Sequence, residues 1–175
     1  MKGRRKLIDV FLQPGELFVG DASYKVRTVL GSCVSMTLWH PATRIGGMSH
    51  FLLPARSASE PVAVLDGRYG DEALELMLRE LKQSGVPACQ CQSKIFGGGN
   101  MFPGQMGTDS INIGQRNGEA AIAMLQRHGI PVMSQSLFGV GHRQVIFDLS
   151  SGDVWSRLIA PSEYDEAKVT TGDLL

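Results

Sequence analysis

Short runs of apolar residues separated by turn residues dominate the first third of the chain. Five such runs are rich in branched and aromatic side chains and end at turn signals such as Pro14-Gly15 and His40-Pro41. Runs of this length and composition predict β-strands. The predicted strands cover residues 7–12, 16–19, 25–30, 34–39 and 46–53.

A different periodicity follows a polar loop at residues 56–67. Tyr69, Ala73, Met77 and Leu81 recur at intervals of four, which predicts an amphipathic helix over 68–84. A second apolar stripe predicts another helix over 112–128, although Gly114 and Gly118 each cost a helix about 1 kcal/mol relative to alanine. Further strands are predicted at 90–97 and 132–138, and a hairpin at 143–149 and 154–159.

Strands with two inserted helices indicate an α/β chain of the mixed α+β kind, with layered sheets covered by helices on one side. We expect one domain over residues 1–175, with a core at about 13–160 and polar tails at both ends. The 43% hydrophobic and 19% charged fractions are those of a globular protein.

The net charge indicates which binding partners to expect, and the cysteine count indicates the state of the thiols. Seventeen basic and seventeen acidic residues give a net charge of zero, so no overall field favours nucleic acid. No apolar stretch reaches the ~20 residues of a membrane span, and the basic N-terminus lacks the apolar run of a signal peptide. Three cysteines without an export signal predict reduced thiols. We therefore expect a soluble, cytoplasmic protein that is not inserted in a membrane.

Cys33 and His50 are the candidate reactive pair. A Gly31-Ser32 lead-in precedes the thiol, and His50 lies in the next strand-like segment, so two adjacent strands would bring the side chains together. A thiolate nucleophile requires a group nearby that takes its proton. Each residue also has a simpler interpretation, a buried cysteine acting as a small hydrophobe and a histidine satisfied in the core.

Such a pair needs an oxyanion hole and a group that orients the imidazole. Backbone N–H groups around Ser32, Cys33 and Val34 could supply the first. Thr28 and the carbonyl of Arg27 are candidates for the second.

Neither the glycine run nor the remaining cysteines predict a cofactor or metal site. The run at 96–102 lacks the spacing of a phosphate-binding loop, and would form either a cleft wall or a sharp turn. Cys89 and Cys91 lack the two further ligands that zinc requires. We expect no cofactor and no metal.

Several ordered motifs resemble one bacterial family, the chemoreceptor glutamine deamidases called CheD. The first two are TVLGSCV at 28–34 and GGMSHFLLP at 46–54. KIFGGGNMF at 94–102, IGQRN at 113–117 and GVGHR at 139–143 follow in order.

The resemblance implies an enzyme that hydrolyses selected glutamine side chains of methyl-accepting chemoreceptors to glutamate and ammonia. It implies Cys33 as nucleophile and His50 as its partner, with His50 drawing the proton to give a thiolate–imidazolium pair. It also implies a sandwich-like fold similar to that of bacterial toxin deamidases, and, in some bacteria, a CheC-type phosphatase as partner.

One position departs from the family pattern. The family's third catalytic residue is a threonine six positions before the cysteine, where this chain has Arg27, while Thr28 is five before. On a strand, a shift of one residue points a side chain to the opposite face. Either a local bulge displaces Thr28, or a backbone carbonyl orients the imidazole.

A receptor helix as substrate requires a groove. Core packing is the alternative for the aromatic candidates, and the preferred one for Phe51. The candidate substrate-contact residues are Ser32, Phe96, Gly97, Gly98, Met101 and Phe102.

Two other functions fit the same residues. The chain could be a non-catalytic chemotaxis module that binds a CheC-type phosphatase or the receptor, for which Arg27 would be an early sign. It could also be a thiol hydrolase of small amides or peptides.

Overall fold

The computed structural model describes residues 6–61, 63–104 and 108–161. Most of the predicted N-terminal tail and of the tail beyond Pro161 lies outside these residues. Within them, nine strands form two sheets and two helices of three or more turns are present. The strands are β1 Ile8–Phe11, β2 Leu17–Gly20, β3 Tyr24–Leu30, β4 Val34–His40, β5 Ile45–Ser49, β6 Gln92–Gly97, β7 Val132–Leu137, β8 His142–Asp148 and β9 Val154–Ile159, and the helices are α1 Gly70–Gln83 and α2 Thr108–Arg127.

The strands form two sheets. One, which we call the outer sheet, has the order β1-β3-β8-β9, and the other, the middle sheet, has the order β2-β5-β4-β6-β7. β1 lies parallel to β3 and β6 parallel to β7, while the remaining pairs are antiparallel. Both sheets therefore have strands brought together from distant parts of the chain.

The middle sheet separates two hydrophobic clusters. Val34, Met36 and Leu38 pack in a cluster that includes the buried faces of α1 and α2. On the opposite face of the middle sheet, Phe96 and Met48 pack in a second cluster with residues of β3 and β8. Packing on both of its faces stacks three layers, the outer sheet, the middle sheet and the helices. The predicted mixed α+β sandwich with helices on one side is confirmed.

Several boundaries differ from the sequence prediction. β5 ends at Ser49, four residues earlier than predicted, because the chain beyond it leaves the strand for isolated bridges. β6 begins at Gln92, after a single 3-10 turn at Ala88–Gln90. α2 begins at Thr108, four residues before the predicted start. At the end of β5, pairing with distant segments overrides local propensity.

The two glycines of α2 have a packing reason. A Cβ at Gly114 would lie 2.6 Å from the carbonyl oxygen of Gly98, and one at Gly118 would lie 2.6 Å from the ring of Phe138. Only glycine allows the helix to approach the middle sheet this closely, so the close approach offsets the cost in helix propensity. Across the described ranges, no helix is long and apolar enough to cross a membrane.

The glycine run after β6 lies against the loop that carries Cys33. Gly97 has φ +114°, and a Cβ there would overlap the carbonyl oxygen of Cys33. Gly98 N–H donates to Cys33 O at 2.9 Å, and Gly99 N–H donates to Gly31 O at 2.9 Å. The run is therefore a backbone support for the Cys33 loop.

Gly97→Ala should destabilise the protein far more than a glycine replacement in open space. We expect a loss of about 3 kcal/mol or more in the free energy of unfolding, because backbone strain and overlap with a buried carbonyl add together. Gly129→Ala is the matched control, since Gly129 has φ +65° and nothing within 4 Å of its Cβ position. Its expected loss is about 1–2 kcal/mol. Urea unfolding measures both, and equal losses would contradict the proposed support.

Candidate active site

The antiparallel register of β4 and β5 places Cys33 and His50 on one face. Thr37 pairs with Met48 within the strands, and the same register continues to the bridge between Val34 and Phe51. That pair exchanges hydrogen bonds of 3.1 and 3.0 Å. Because neighbouring residues of an extended chain point to opposite faces, Cys33 and His50 lie on the face opposite Val34 and Phe51. Both point into the layer between the two sheets.

The backbone of His50 is held on both sides by the turn before β2. Its N–H donates to Glu16 O at 3.0 Å, and its carbonyl accepts from Gly15 N–H at 2.8 Å. The side chain is only 2% exposed. The ring therefore has a fixed backbone anchor and a largely water-free surrounding.

Thr28 makes the hydrogen bond that orients the imidazole. Its Oγ1 lies 2.7 Å from Nδ1 of His50, and its hydroxyl donates to the carbonyl of Leu12 at 2.8 Å. A hydroxyl has one proton and a carbonyl can only accept, so Oγ1 must accept from Nδ1–H. This assigns the neutral tautomer with the proton on Nδ1, which leaves Nε2 as the basic nitrogen.

The departure at Arg27 is resolved by the outer sheet. β3 pairs with β8 in an unbroken register from Lys25 to Leu30, so Thr28 reaches His50 without a bulge. Arg27 instead pairs with Asp9 on the exposed side, at 2.8 Å. The Arg27 carbonyl, the other predicted orienter, accepts the N–H of Leu12. The hydrogen bond to the imidazole is thus made by the Thr28 side chain.

Both members of the reactive pair are neutral at rest. Burial lowers the pKa of His50 to about 4, and the negative charge of Glu16 opposes this shift. Burial also raises the pKa of the Cys33 thiol, while its own backbone N–H acts in the other direction. The thiol makes no hydrogen bond to another residue in the part of the chain that the structure describes. Burial therefore favours the neutral thiol over the thiolate and the neutral imidazole over the imidazolium.

Two backbone N–H groups remain for an oxyanion. The N–H of Val34 donates to Phe51 O, so one of the three predicted donors is already used. Those of Ser32 and Cys33 have no acceptor on another residue among residues 6–61, 63–104 and 108–161. Adjacent N–H groups of this kind can form a concave site for an anion.

The predicted substrate contacts separate into two groups. Phe96 is 4% exposed and packs between the sheets, so its side chain has little surface open to a partner. Gly97 and Gly98 are buried against the Cys33 loop. The residues that keep accessible surface are Ser32, Met101 and Phe102. Phe51 is fully buried in the core, which confirms the packing interpretation.

Asn117 is the site residue that sequence reasoning missed. It is fully buried, and its amide contacts the backbone next to Cys33. The signal was present in the IGQRN motif, but a motif does not reveal which backbone group an asparagine reaches. Cys89 is exposed and Cys91 buried, and the described ranges contain no cluster of three or more potential metal ligands.

Comparison with known proteins gives one family. The family model described as CheD chemotactic sensory transduction matches residues 52–158. A protein of Albidiferax ferrireducens named probable chemoreceptor glutamine deamidase CheD 2 is 64% identical over the full length of both chains. Probable chemoreceptor glutamine deamidases CheD of Pseudomonas syringae pv. tomato and CheD 3 of Dechloromonas aromatica are 44% and 45% identical, covering 85% and 86% of this chain and 88% and 87% of their own.

Thr28→Val should release the His50 tautomer, whereas Thr28→Ser should preserve it. Valine keeps the shape but leaves Nδ1–H and the Leu12 carbonyl without their partner, at a cost of about 1–3 kcal/mol. Nitrogen-15 NMR of the imidazole measures the protonated nitrogen directly. We expect Nδ1–H in the wild type and in Thr28→Ser, and a shift toward Nε2–H in Thr28→Val. The same spectrum in all three proteins would contradict the assignment.

Stability should decrease as the pH falls from 6.5 to 4. The unfolded histidine titrates near 6.5 and the folded His50 near 4, so between these values the unfolded state binds more protons. The full loss is roughly 3 kcal/mol. Urea unfolding across this range measures it, with His50→Asn as the variant that lacks the titrating group. Parallel pH curves for the two proteins would show that His50 is not the source.

Proposed function

The chain belongs to the CheD family, and from this membership we propose that it deamidates selected glutamine side chains of chemoreceptors in chemotactic adaptation. The shared name of its relatives supports the reaction. The hydrogen bond between Thr28 and His50 is the observation that carries the mechanism, because it leaves Nε2 as an unprotonated base.

In the first step, Sγ of Cys33 attacks the carboxamide carbon while its proton passes to Nε2 of His50. Because both groups are neutral at rest, charge separates only during the attack. The carbonyl π electrons move to oxygen, and the N–H groups of Ser32 and Cys33 stabilise the oxyanion. A donor in such a position contributes about 2.7–4 kcal/mol.

In the second step, the tetrahedral intermediate collapses and the carbon–nitrogen bond breaks. His50 returns its proton to the leaving nitrogen, so ammonia departs and a thioester on Cys33 remains. His50 then takes a proton from water, the hydroxide attacks the thioester, and the thiol is released. The sum is glutamine and water converted to glutamate and ammonia, and every proton transfer uses His50.

Thr28 acts as a neutral orienter in this scheme. Its Oγ1 accepts a hydrogen bond from Nδ1–H of His50, and its own O–H donates to the carbonyl of Leu12. A carboxylate in this position would raise the pKa of His50 by its charge, whereas a hydroxyl orients the ring without doing so. His50 therefore stays unprotonated at neutral pH and is available as a base on every encounter.

The substrate is a receptor helix that presents one glutamine to a shallow site. Phe102 is 47% exposed and Met101 lies against Gly31, beside the Cys33 loop. These two side chains could contact the apolar face of a helix. The receptor's cytoplasmic helices are the proposed partner, and a CheC-type phosphatase stays a prediction for this chain.

The decisive experiment is peptide mass spectrometry of a chemoreceptor cytoplasmic fragment after incubation with the protein. Each conversion of glutamine to glutamate adds about one dalton. Wild type should convert particular sites, and Cys33→Ala and His50→Ala should convert none. Thr28→Val should lower kcat about 10-fold or more, because the imidazole loses the group that fixes its tautomer and orientation, while Thr28→Ser stays within about threefold of wild type.

Conversion by Cys33→Ala at the wild-type rate would overturn the mechanism. Conversion by none of the proteins, on a cognate receptor, would overturn the function, and the binding-module hypothesis would then be tested by capture of the receptor and a CheC-type phosphatase. Turnover of free glutamine at a rate equal to that of the receptor would instead indicate a hydrolase of small amides.

A further inference from the structure

Asn117 of α2 joins two backbone segments that carry the reactive pair. Its Nδ2 donates to the carbonyl of Ser32 at 3.0 Å and to that of Leu52 at 2.8 Å, across 85 and 65 residues of sequence. Both acceptors can only accept, so both amide protons are used and the amide cannot be flipped. Its Oδ1 is buried and has no hydrogen-bond partner among the residues described.

Three successive peptide units of the Cys33 loop are each fixed through their carbonyl oxygen. Backbone N–H groups of the glycine run hold the first and third, since Gly99 binds Gly31 O and Gly98 binds Cys33 O. The middle unit, between Ser32 and Cys33, is held by the side chain of Asn117. Because this peptide unit is held by a side chain and the other two by backbone N–H groups, a substitution can remove its support without changing the backbone.

The middle unit is also the one that matters for an oxyanion. A trans peptide is planar, and its C=O and N–H point in opposite directions. Fixing the Ser32 carbonyl toward α2 therefore aims the Cys33 N–H away from the helix, on the side where no other residue of the described ranges accepts from it. Hydrogen bonding at the carbonyl also polarises the unit, which strengthens its N–H as a donor.

The second contact ties this loop to the base. Leu52 follows His50 by two residues, and its carbonyl receives the shorter of the two bonds. One nitrogen thus links the peptide unit of the nucleophile with the segment that continues from His50. A shift of about 1 Å between such groups can cost 100-fold in rate.

We propose that Asn117 is a positioning residue that aims the Cys33 N–H at the developing oxyanion and keeps it in register with His50. The proposal rests on the proposed function, in that Cys33 is the nucleophile. It adds a helix side chain to a site otherwise built from strands and loops.

Two reactions of the Cys33 thiol distinguish a positioning role of Asn117 from a general contribution to the stability of the fold. Acylation by p-nitrophenyl acetate passes through an oxyanion: the thiolate attacks the ester carbon, the acetyl–sulfur bond forms and nitrophenolate leaves. Alkylation by iodoacetamide displaces iodide at a saturated carbon and forms no oxyanion. Peptide mass spectrometry confirms that each modification is on Cys33. Neither reaction needs a receptor.

Asn117→Leu is the main variant, because it nearly keeps the volume of the side chain and removes both donors. We expect acylation to fall about 10- to 100-fold, less than or equal to the loss of a whole oxyanion donor, with alkylation within about threefold of wild type. Asn117→Ser, which retains one donor on a shorter side chain, is the second variant if the first does not fold. Gln115→Ala is the matched control, since it removes an exposed amide of the same helix that bonds Glu119.

Equal changes in acylation and alkylation, or no change in either, would overturn the proposal. Receptor deamidation measured alongside should show a lower kcat with an unchanged KM. If the wild type is acylated on Cys33 but deamidates no receptor, the proposed function fails, while the ratio of the two rates still decides the role of Asn117. Melting temperatures and circular dichroism establish that each compared variant is folded.

Discussion

The hydrogen bond from His50 to Thr28 is the interaction on which the site depends. It crosses the layer between the sheets, where an imidazole without a partner would cost about 1–3 kcal/mol. The bond continues to the carbonyl of Leu12, just beyond β1, so three segments of chain determine one ring orientation. The layer between the sheets can pack closely around His50 because the Nδ1–H of the ring and the hydroxyl of Thr28 each have a hydrogen-bond partner.

Burial makes the resting thiol of Cys33 less reactive than a thiolate would be. Many reactive cysteines are thiolates at rest and are correspondingly exposed to oxidation and alkylation. Here burial favours the neutral forms of both the thiol and the imidazole. In the mechanism proposed above, the thiol therefore becomes reactive only when an electrophilic carbonyl arrives.

Much of the fold was predictable because its signals are local. Alternating apolar residues, turn pairs and a four-residue stripe predicted the strands and α1. What escaped prediction depends on contacts between distant segments. The use of the Val34 N–H by Phe51 and the reach of Asn117 to Ser32 are both set by how helix and sheets pack. Thr28 lies one position away from the threonine of the family motif, and the sequence therefore suggested that it points away from His50. A motif gives positions along the sequence and not the direction of a side chain, and in the structure Thr28 contacts His50.

The contact between Asn117 and Ser32 spans 85 residues, and this has a consequence for biosynthesis. Loop closure over such a distance comes late in folding, and chains emerge from the ribosome N-terminus first. Cys33, Thr28 and His50 are all translated well before α2 exists. The hydrogen bond that fixes the Ser32 carbonyl can therefore form only after α2 has been synthesised. Until then the segments that carry Cys33 and His50 lack the link that Asn117 makes between them.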